Sequence, residues 1–132
     1  MARFFSLSEA ASIGLHGMIL IARSENGLNA QEIADVMGSS RHHVAKILQR
    51  LAKVGFLSST RGPNGGFVMR KKPADINLLQ IYEAIEGEIA VMDCPMEKPV
   101  CPFEKCIFNN VTRTMTEQFK DYLKKQTLKE YL

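Results

Sequence analysis

The chain has 132 residues, of which 45% are hydrophobic and 23% charged, enough for a domain with a buried core. It contains no apolar run of about eighteen residues, so we expect no membrane-spanning helix. Its N-terminal residues lack the apolar core of a signal peptide, so we expect a cytoplasmic protein. The net charge of +3 is uneven: residues 39–72 carry eight Lys or Arg and no acidic residue, which indicates a polyanionic partner such as double-stranded DNA.

Two helices are predicted at the start of the chain. In the first, over about 6–23, Ser6 and Glu9 have the spacing of a capping box. The second, GLNAQEIADVMG, starts after Asn29, which also heads a capping-box pattern. Gly38 can end this helix in a left-handed conformation, so the chain turns sharply there.

A third helix, SSRHHVAKILQRLAKVG, follows after almost no linker, with Ser39 or Ser40 as its cap and Gly55 as its end. Its apolar residues recur at spacings of three and four and are expected to face inward: Val44, Ile47, Leu48, Leu51 and Val54. The outer side is polar and basic. Two helices joined by a tight glycine turn, the second basic outside, predict a helix-turn-helix.

A β-hairpin is predicted next, with strands Phe56–Arg61 and Gly66–Arg70 around the turn sequence GPNGG. A basic hairpin directly after a recognition helix is typical of the wing of a winged helix-turn-helix. The following segment, PADINLLQIYEAIEG, is predicted to form a helix that begins after Asp75 or Asn77 and ends at Gly87.

The last long helix is predicted to start near Cys106. An apolar stripe runs along it at intervals of four and three: Ile107, Val111, Met115, Phe119 and Tyr122. Because no other segment is clearly available to cover this stripe, we expect the same helix of a second subunit to cover it in a homodimer. The sequence TLKEYL adds a short terminal turn after Thr127.

The predicted fold class is therefore mainly α with a small β-hairpin wing. We expect a winged helix-turn-helix DNA-binding domain over residues 1–75. Residues 76–132 are expected to supply a linker helix, a cysteine-containing loop and the long C-terminal dimerisation helix.

The basic helix and the wing are assigned to DNA. Arg41, His42 and His43 lie in the first turn of the recognition helix, where side chains reach base edges in the major groove. Both histidines can instead be ordinary surface residues, and His43 can equally face the first helix. The other candidates are assigned by chemistry: backbone N–H groups of Ser39 and Ser40 to a phosphate, Arg61 and Asn64 to the minor groove, and Lys46, Arg50, Lys71 and Lys72 to phosphates.

All three cysteines, Cys94, Cys101 and Cys106, lie in one proline-rich window, CPMEKPVCPFEKC. Free cysteines that serve as small apolar residues prefer regular buried elements, which this window does not resemble. A zinc site usually has a second close ligand pair, whereas an iron–sulfur cluster accepts wider gaps between its thiolates. Residue chemistry leaves a cluster, zinc, and idle or redox-active thiols as alternatives.

The run SSRHHVAKILQRLAKVGFLSSTRGPNGGFVM resembles the winged helix-turn-helix of the Rrf2 family, the IscR/NsrR-type bacterial repressors. The stretch LSSTRGPNGGF is similar to the family's RGPGGG wing, INLLQIYEAIEG to its next helix, and TLKEYL to its C-terminal end. The resemblance implies a homodimeric cytoplasmic transcription regulator. It also implies that Cys94, Cys101 and Cys106 bind an iron–sulfur cluster, either [2Fe–2S] or [4Fe–4S].

The cysteine site departs from the family pattern in two ways. Six residues instead of the commoner five separate the first two cysteines, and Asn109 stands where some members have a histidine ligand. Nitric-oxide-sensing members use an aspartate of the first helix, and the comparable position here is near Ser12. Candidates for a fourth ligand are Glu9, Asp93 and Glu97.

Two other functions are weighed against this reading. An enzyme or electron carrier is disfavoured, because the chain has no Ser–His–Asp set, paired-carboxylate signature or phosphate-binding loop. The second alternative is a regulator of the same fold without a cluster, which senses a metabolite, a partner protein or thiol oxidation.

Overall fold

The computed structural model describes residues 1–63, 65–96 and 101–132. In these residues the chain forms α1 (Glu9–Arg23), α2 (Ala30–Met37), α3 (Arg41–Lys53), β1 (Leu57–Thr60), β2 (Gly66–Met69), α4 (Leu78–Glu86) and α5 (Val111–Lys125), with short 3₁₀ helices at Pro73–Asp75 and Leu128–Tyr131. The predicted fold class, mainly α with a β-hairpin wing, is confirmed. None of the helices in the described ranges has the length and hydropathy needed to cross a bilayer.

Helix α1 begins at Glu9, and the predicted capping box of Ser6 and Glu9 is wrong. Ser8 is the N-cap, and its hydroxyl oxygen accepts a hydrogen bond from the backbone N–H of Ala11 at 3.0 Å. The same hydroxyl donates to the carboxylate of Glu86 at the end of α4. This second bond connects the start of α1 to the end of α4, two helices that are distant in sequence.

The predicted capping box at the start of α2 is confirmed. The side-chain oxygen of Asn29 accepts a hydrogen bond from the Glu32 N–H at 2.8 Å, and the Glu32 carboxylate accepts one from the Asn29 N–H at 3.1 Å. Gly38 ends the helix at φ 68° and ψ 28°, the left-handed conformation predicted for it. The chain therefore reverses directly into α3, as a helix-turn-helix requires.

A single cluster of buried apolar side chains joins α1, α2, α3 and α4 and extends to the C-terminal segment. Helix α3 supplies four of the five residues predicted to face inward: Val44, Ile47, Leu48 and Leu51. The fifth, Val54, is 49% exposed, because it lies at the C-cap beyond the last turn of α3. Ile81 and Leu128 belong to the same cluster, so it draws on both sides of residue 75. The division at that residue stays a prediction.

The wing is attached to the helical body through the α1–α2 connection. Strands β1 and β2 pair in antiparallel register, with Ser58 opposite Val68. Leu28 extends this pairing, because its N–H donates to the Phe67 carbonyl at 3.0 Å and its carbonyl accepts from the Phe67 N–H at 2.7 Å. A Cβ at Gly66 would lie 2.8 Å from the Leu28 carbonyl oxygen, so this close approach requires glycine.

The C-terminal segment returns to the start of α4. Asn77, one of the two predicted caps, closes a capping box on α4. The N–H of Leu128 donates to the Ile76 carbonyl at 3.0 Å, and the Leu128 side chain is fully buried. Thr127 precedes the terminal 3₁₀ turn as predicted, but its side chain makes no capping hydrogen bond.

Helix α5 begins at Val111, and the prediction that it starts near Cys106 is wrong. Asn109 and Asn110 have φ values of 48° and 60°, and two successive left-handed residues interrupt a right-handed helix. Asparagine tolerates this conformation better than most residues, which places the break here. Ile107 consequently lies outside α5 and is 74% exposed.

Two buried glycines of α1 give a test of how closely α1 packs on its neighbours. A Cβ at Gly14 would overlap the Ile85 side chain of α4, whereas a Cβ at Gly17 would lie 3.5 Å from Leu48 Cδ2, an ordinary contact. Gly17→Ala should therefore raise the free energy of unfolding by about 0.5–1 kcal/mol through helix propensity. Gly14→Ala should lower it by about 1 kcal/mol, because overpacking exceeds that gain.

Chemical denaturation of both variants at one fixed protein concentration would measure the difference. Equal stabilisation by the two substitutions would contradict the close α1–α4 contact.

Candidate DNA interface and cysteine loop

A cleft of about 790 Å³ lies between α3 and the wing. Arg41 and His42 line its α3 side, and Arg61 lines its wing side. The structure thus brings together three candidates that the sequence distributes over two elements. The described lining contains no acidic side chain, so the cleft has a positive potential suited to a polyanion.

The other DNA-binding candidates on α3 and just before it differ in exposure and in hydrogen bonding. Lys46 and Arg50 are exposed on α3, and neither belongs to the described lining of the cleft. Ser40, not Ser39, is the N-cap of α3, and its hydroxyl accepts from the His43 N–H at 3.1 Å. The N–H of Ser39, expected to be available to a phosphate, donates instead to the Ala34 carbonyl at 3.2 Å.

His43 faces α1, the alternative position considered for it. Its Nδ1 lies 3.5 Å from the Glu9 carboxylate at the start of that helix. The contact connects the first turn of α3 to the N-terminus of α1. Lys71 is exposed beyond β2 with its Nζ 5.8 Å from the centre of the Phe56 ring. Asn64 lies outside the described residues.

The three cysteines are free thiols in the connection between α4 and α5. Cys94 and Cys106 are half-buried and Cys101 is exposed. The backbone N–H of Phe108, with smaller contributions from Asn109 and Asn110, lowers the pKa of the Cys106 thiol by hydrogen bonding, although burial acts in the opposite direction. The thiolate is the form that binds metals and reacts with oxidants, and the lowered pKa favours this form at Cys106.

An ion pair binds the start of the cysteine loop to α5. Asp93 is the residue before Cys94, and its Oδ1 lies 2.7 Å from Arg113 Nη1. Arg113 Nε lies 3.2 Å from Glu117 Oε1. The hydrogen bond that Arg113 donates to Asp93, reinforced by the negative charges of Asp93 and Glu117, raises the pKa of Arg113. Both partners are exposed, so the pair positions the loop more than it stabilises the fold.

The donor chemistry of the loop fits an iron–sulfur cluster, because thiolates are the ligands that such clusters use. The described parts of the chain contain no group of three His, Cys, Asp or Glu side chains gathered as a metal site. The loop would therefore have to draw its sulfur atoms together to bind a cluster. Among the candidates for a fourth ligand, Glu9 faces His43 and Asp93 binds Arg113, while Glu97 lies outside the described residues.

Residues 7–132 match the sequence model of the Rrf2 family, described as an iron-dependent transcriptional regulator. The chain belongs to the Rrf2 family. Its members are transcription regulators that bind DNA, which agrees with the cleft between α3 and the wing. The resemblance seen in the wing and helix motifs is confirmed over nearly the whole chain.

Solved structures share this fold. CymR, the global cysteine regulator of B. subtilis, is 26% identical over 96% of this chain and 95% of its own, with a TM-score of 0.77. IscR of T. potens is 20% identical over 96% of this chain and 85% of its own, with a TM-score of 0.72. The oxidised form of Staphylococcus aureus CymR is 23% identical over 95% and 94%, with a TM-score of 0.75.

Alanine substitutions at Arg41 and Lys71 should separate base reading from phosphate binding. Against a duplex selected from a random library, Arg41→Ala should lower the preference over unselected DNA by about 5- to 150-fold, the value of one bidentate base contact. Lys71→Ala should weaken binding to both duplexes alike and reduce the salt slope by about one. Fluorescence anisotropy at several salt concentrations measures both quantities.

Lys129→Ala is the charge-matched control, because Lys129 is exposed in the C-terminal 3₁₀ helix and lies outside the described cleft lining. Equal losses on selected and unselected DNA in both the Arg41 and Lys71 variants would contradict the division of roles.

Proposed function

We propose that this Rrf2-family regulator is a homodimeric repressor whose affinity for DNA is controlled by an iron–sulfur cluster. The ligands are Cys94, Cys101 and Cys106, and the cluster is [2Fe–2S] or [4Fe–4S]. Membership of the family supports transcription regulation and DNA binding, and its description as iron-dependent supports an iron cofactor. The roles of individual residues, the cluster and the dimer are our proposals.

The proposed DNA contacts divide by position and chemistry. Arg41 and His42 read base edges in the major groove from the first turn of α3. His43 is a weaker candidate for base reading, because its ring faces Glu9. Arg61 and Asn64 reach the minor groove from the wing, and Ser40, Lys46, Arg50 and Lys71 contact phosphates. Ser39 is a weaker candidate, because its N–H already donates to the Ala34 carbonyl.

The gathering of all three thiols in one loop is the observation that carries the cluster proposal. The backbone N–H groups of Phe108, Asn109 and Asn110, just before α5, lower the pKa of the Cys106 thiol. A bound cluster supplies a centre that exchanges ligands and electrons with nitric oxide, oxygen or the iron supply. Thiolates at Cys94 and Cys101 would complete the protein's own set of sulfur ligands.

A series of contacts connects the cysteine loop to α3, the proposed DNA-reading helix. Asp93 holds its beginning to α5 through Arg113, and α5 packs on α4. The end of α4 is bonded to Ser8, next to Glu9, which contacts His43 of α3. A change in how the loop packs against α5 would alter the spacing of two recognition helices in a dimer, which DNA requires to be about 34 Å. The cluster can bias this equilibrium only through its differential affinity for the two conformations.

The exposed face of α5 supports the homodimer. Val111, Met115 and Tyr122 are 48%, 40% and 55% exposed and share one side of the helix. Phe119, the remaining member of the predicted stripe, is half-buried, and its ring contacts Phe5 and Tyr82. An apolar side of this extent on a long helix is typical of a surface that a second subunit covers.

The alternative function is a regulator of the same fold without a cluster. Thiol oxidation is the form of it that specific observations favour, because Cys101 is exposed and the pKa of Cys106 is lowered. The absence of a gathered metal site in the described residues also favours it. Two thiols and one hydrogen peroxide would give one disulfide and two water molecules. A metabolite or a partner protein is the other possible signal in this alternative.

Purification without oxygen distinguishes the two functions. We expect a brown protein that contains iron and acid-labile sulfide, and Cys94→Ser, Cys101→Ser and Cys106→Ser should each lower both contents and abolish the visible absorption. Lys105→Ala, in the same loop, is the control and should retain the cluster, because a lysine ammonium group cannot bind iron. A colourless wild-type protein whose DNA binding responds to peroxide would establish the alternative.

The dimer can be tested on α5. Met115→Asp combined with Tyr122→Asp should give a monomer, because two carboxylates would have to be buried in the interface. Lys124→Asp on the opposite side of α5 is the control and should leave the dimer intact. Size-exclusion chromatography with light scattering measures the mass, and a dimeric double variant or a monomeric wild type would contradict the proposed interface.

A further inference from the structure

Helix α3 presents a second polar side chain in line with His42. Because successive residues on an α-helix are rotated by about 100°, residues seven apart lie on the same side, about two turns from each other. Gln49 is seven residues after His42, and both are exposed. The buried residues Val44, Leu48 and Leu51 occupy the opposite side of the helix. His42 and Gln49 therefore point away from the core, toward whatever α3 contacts.

Gln49 also belongs to the lining of the cleft between α3 and the wing. Two other polar residues of this lining form hydrogen bonds within the protein: the Thr60 hydroxyl accepts from the Gly66 N–H at 2.9 Å, and the Asn29 side chain caps α2. The amide of Gln49 makes no hydrogen bond to any residue in the described ranges, although it is a group with two donors and an acceptor.

Ala45 lies between the two residues, three after His42 and four before Gln49, and also lines the cleft. A methyl group at this position leaves room for the backbone of α3 to approach the floor of a groove. A long side chain there would hold the helix away and prevent the amide of Gln49 from reaching a base.

We infer that Gln49 is a specificity-determining residue that reads an adenine in the major groove. This inference rests on the proposed binding of α3 to DNA and adds a reader that lies beyond the first turn of the helix. A glutamine amide can donate to N7 and accept from N6 of adenine, which no other base matches in this groove. The inference requires α3 to lie along the groove, with Gln49 about 10 Å from His42, or about three base pairs.

Selection from a library of random duplexes tests this assignment. The wild-type protein should select a motif, and Gln49→Ala should lose the preference for adenine at one base pair, by about 5- to 150-fold on single-site substituted duplexes. Gln49→Met keeps the length of the side chain without its amide and should lose the same preference. Gln31→Ala is the matched control, because Gln31 is an exposed glutamine of α2 whose amide bonds Asp35 at 2.7 Å.

The possible failures have different meanings. A uniform loss of affinity on all duplexes would make Gln49 a phosphate contact and overturn the assignment, and an unchanged motif in both variants would overturn it as well. In either case the proposed DNA-binding function would stand. A wild-type protein that selects no motif would overturn the proposed function and this inference together. Circular dichroism of each variant would verify that the exposed substitution leaves the fold intact.

Discussion

Helix α3 is held in the protein by Val44, Ile47, Leu48 and Leu51, which are buried against α1 and α4 in the common core. The side chains of an α-helix project at fixed angles, so burial of one side determines which residues face outward. Arg41, His42 and Gln49 are exposed for this reason, and the wing then encloses a cleft in front of them. The proposed DNA-binding surface is thus a consequence of how the core is packed.

The wing depends on a second constraint, the pairing of Leu28 with Phe67. A two-stranded hairpin has little stability in water by itself, and this additional pairing connects it to the loop before α2. The glycine at position 66 permits the contact, because a side chain there would meet the Leu28 carbonyl. The orientation of Arg61 relative to α3 follows from this attachment. The attachment could not be predicted from the hairpin sequence, because Leu28 lies outside it.

Features that depend on a few neighbouring residues could be predicted from the sequence. The capping box of Asn29, the left-handed Gly38 and the inward stripe of α3 are local patterns, and the structure has each of them except for Val54 at the end of the stripe. Two local predictions, the Ser6 capping box and the start of α5 near Cys106, failed because more than one local structure is compatible with the same residues. Ser6 and Ser8 are both plausible caps, and the bond to Glu86 of α4 accompanies the second. Asn109 and Asn110 adopt a rare conformation that shortens α5 at its start.

The sequence by itself determined the winged helix-turn-helix and the presence of three thiols in one loop, because these follow from periodicity, turn residues and spacing. Its wing and helix motifs also carried the resemblance to the family. Only the tertiary structure decided that His43 turns to Glu9, that Asp93 binds Arg113 and that Arg41 and Arg61 line one cleft. Each of these contacts joins residues from different elements. Their formation depends on the packing of whole helices, and no spacing along the chain encodes such a distance directly.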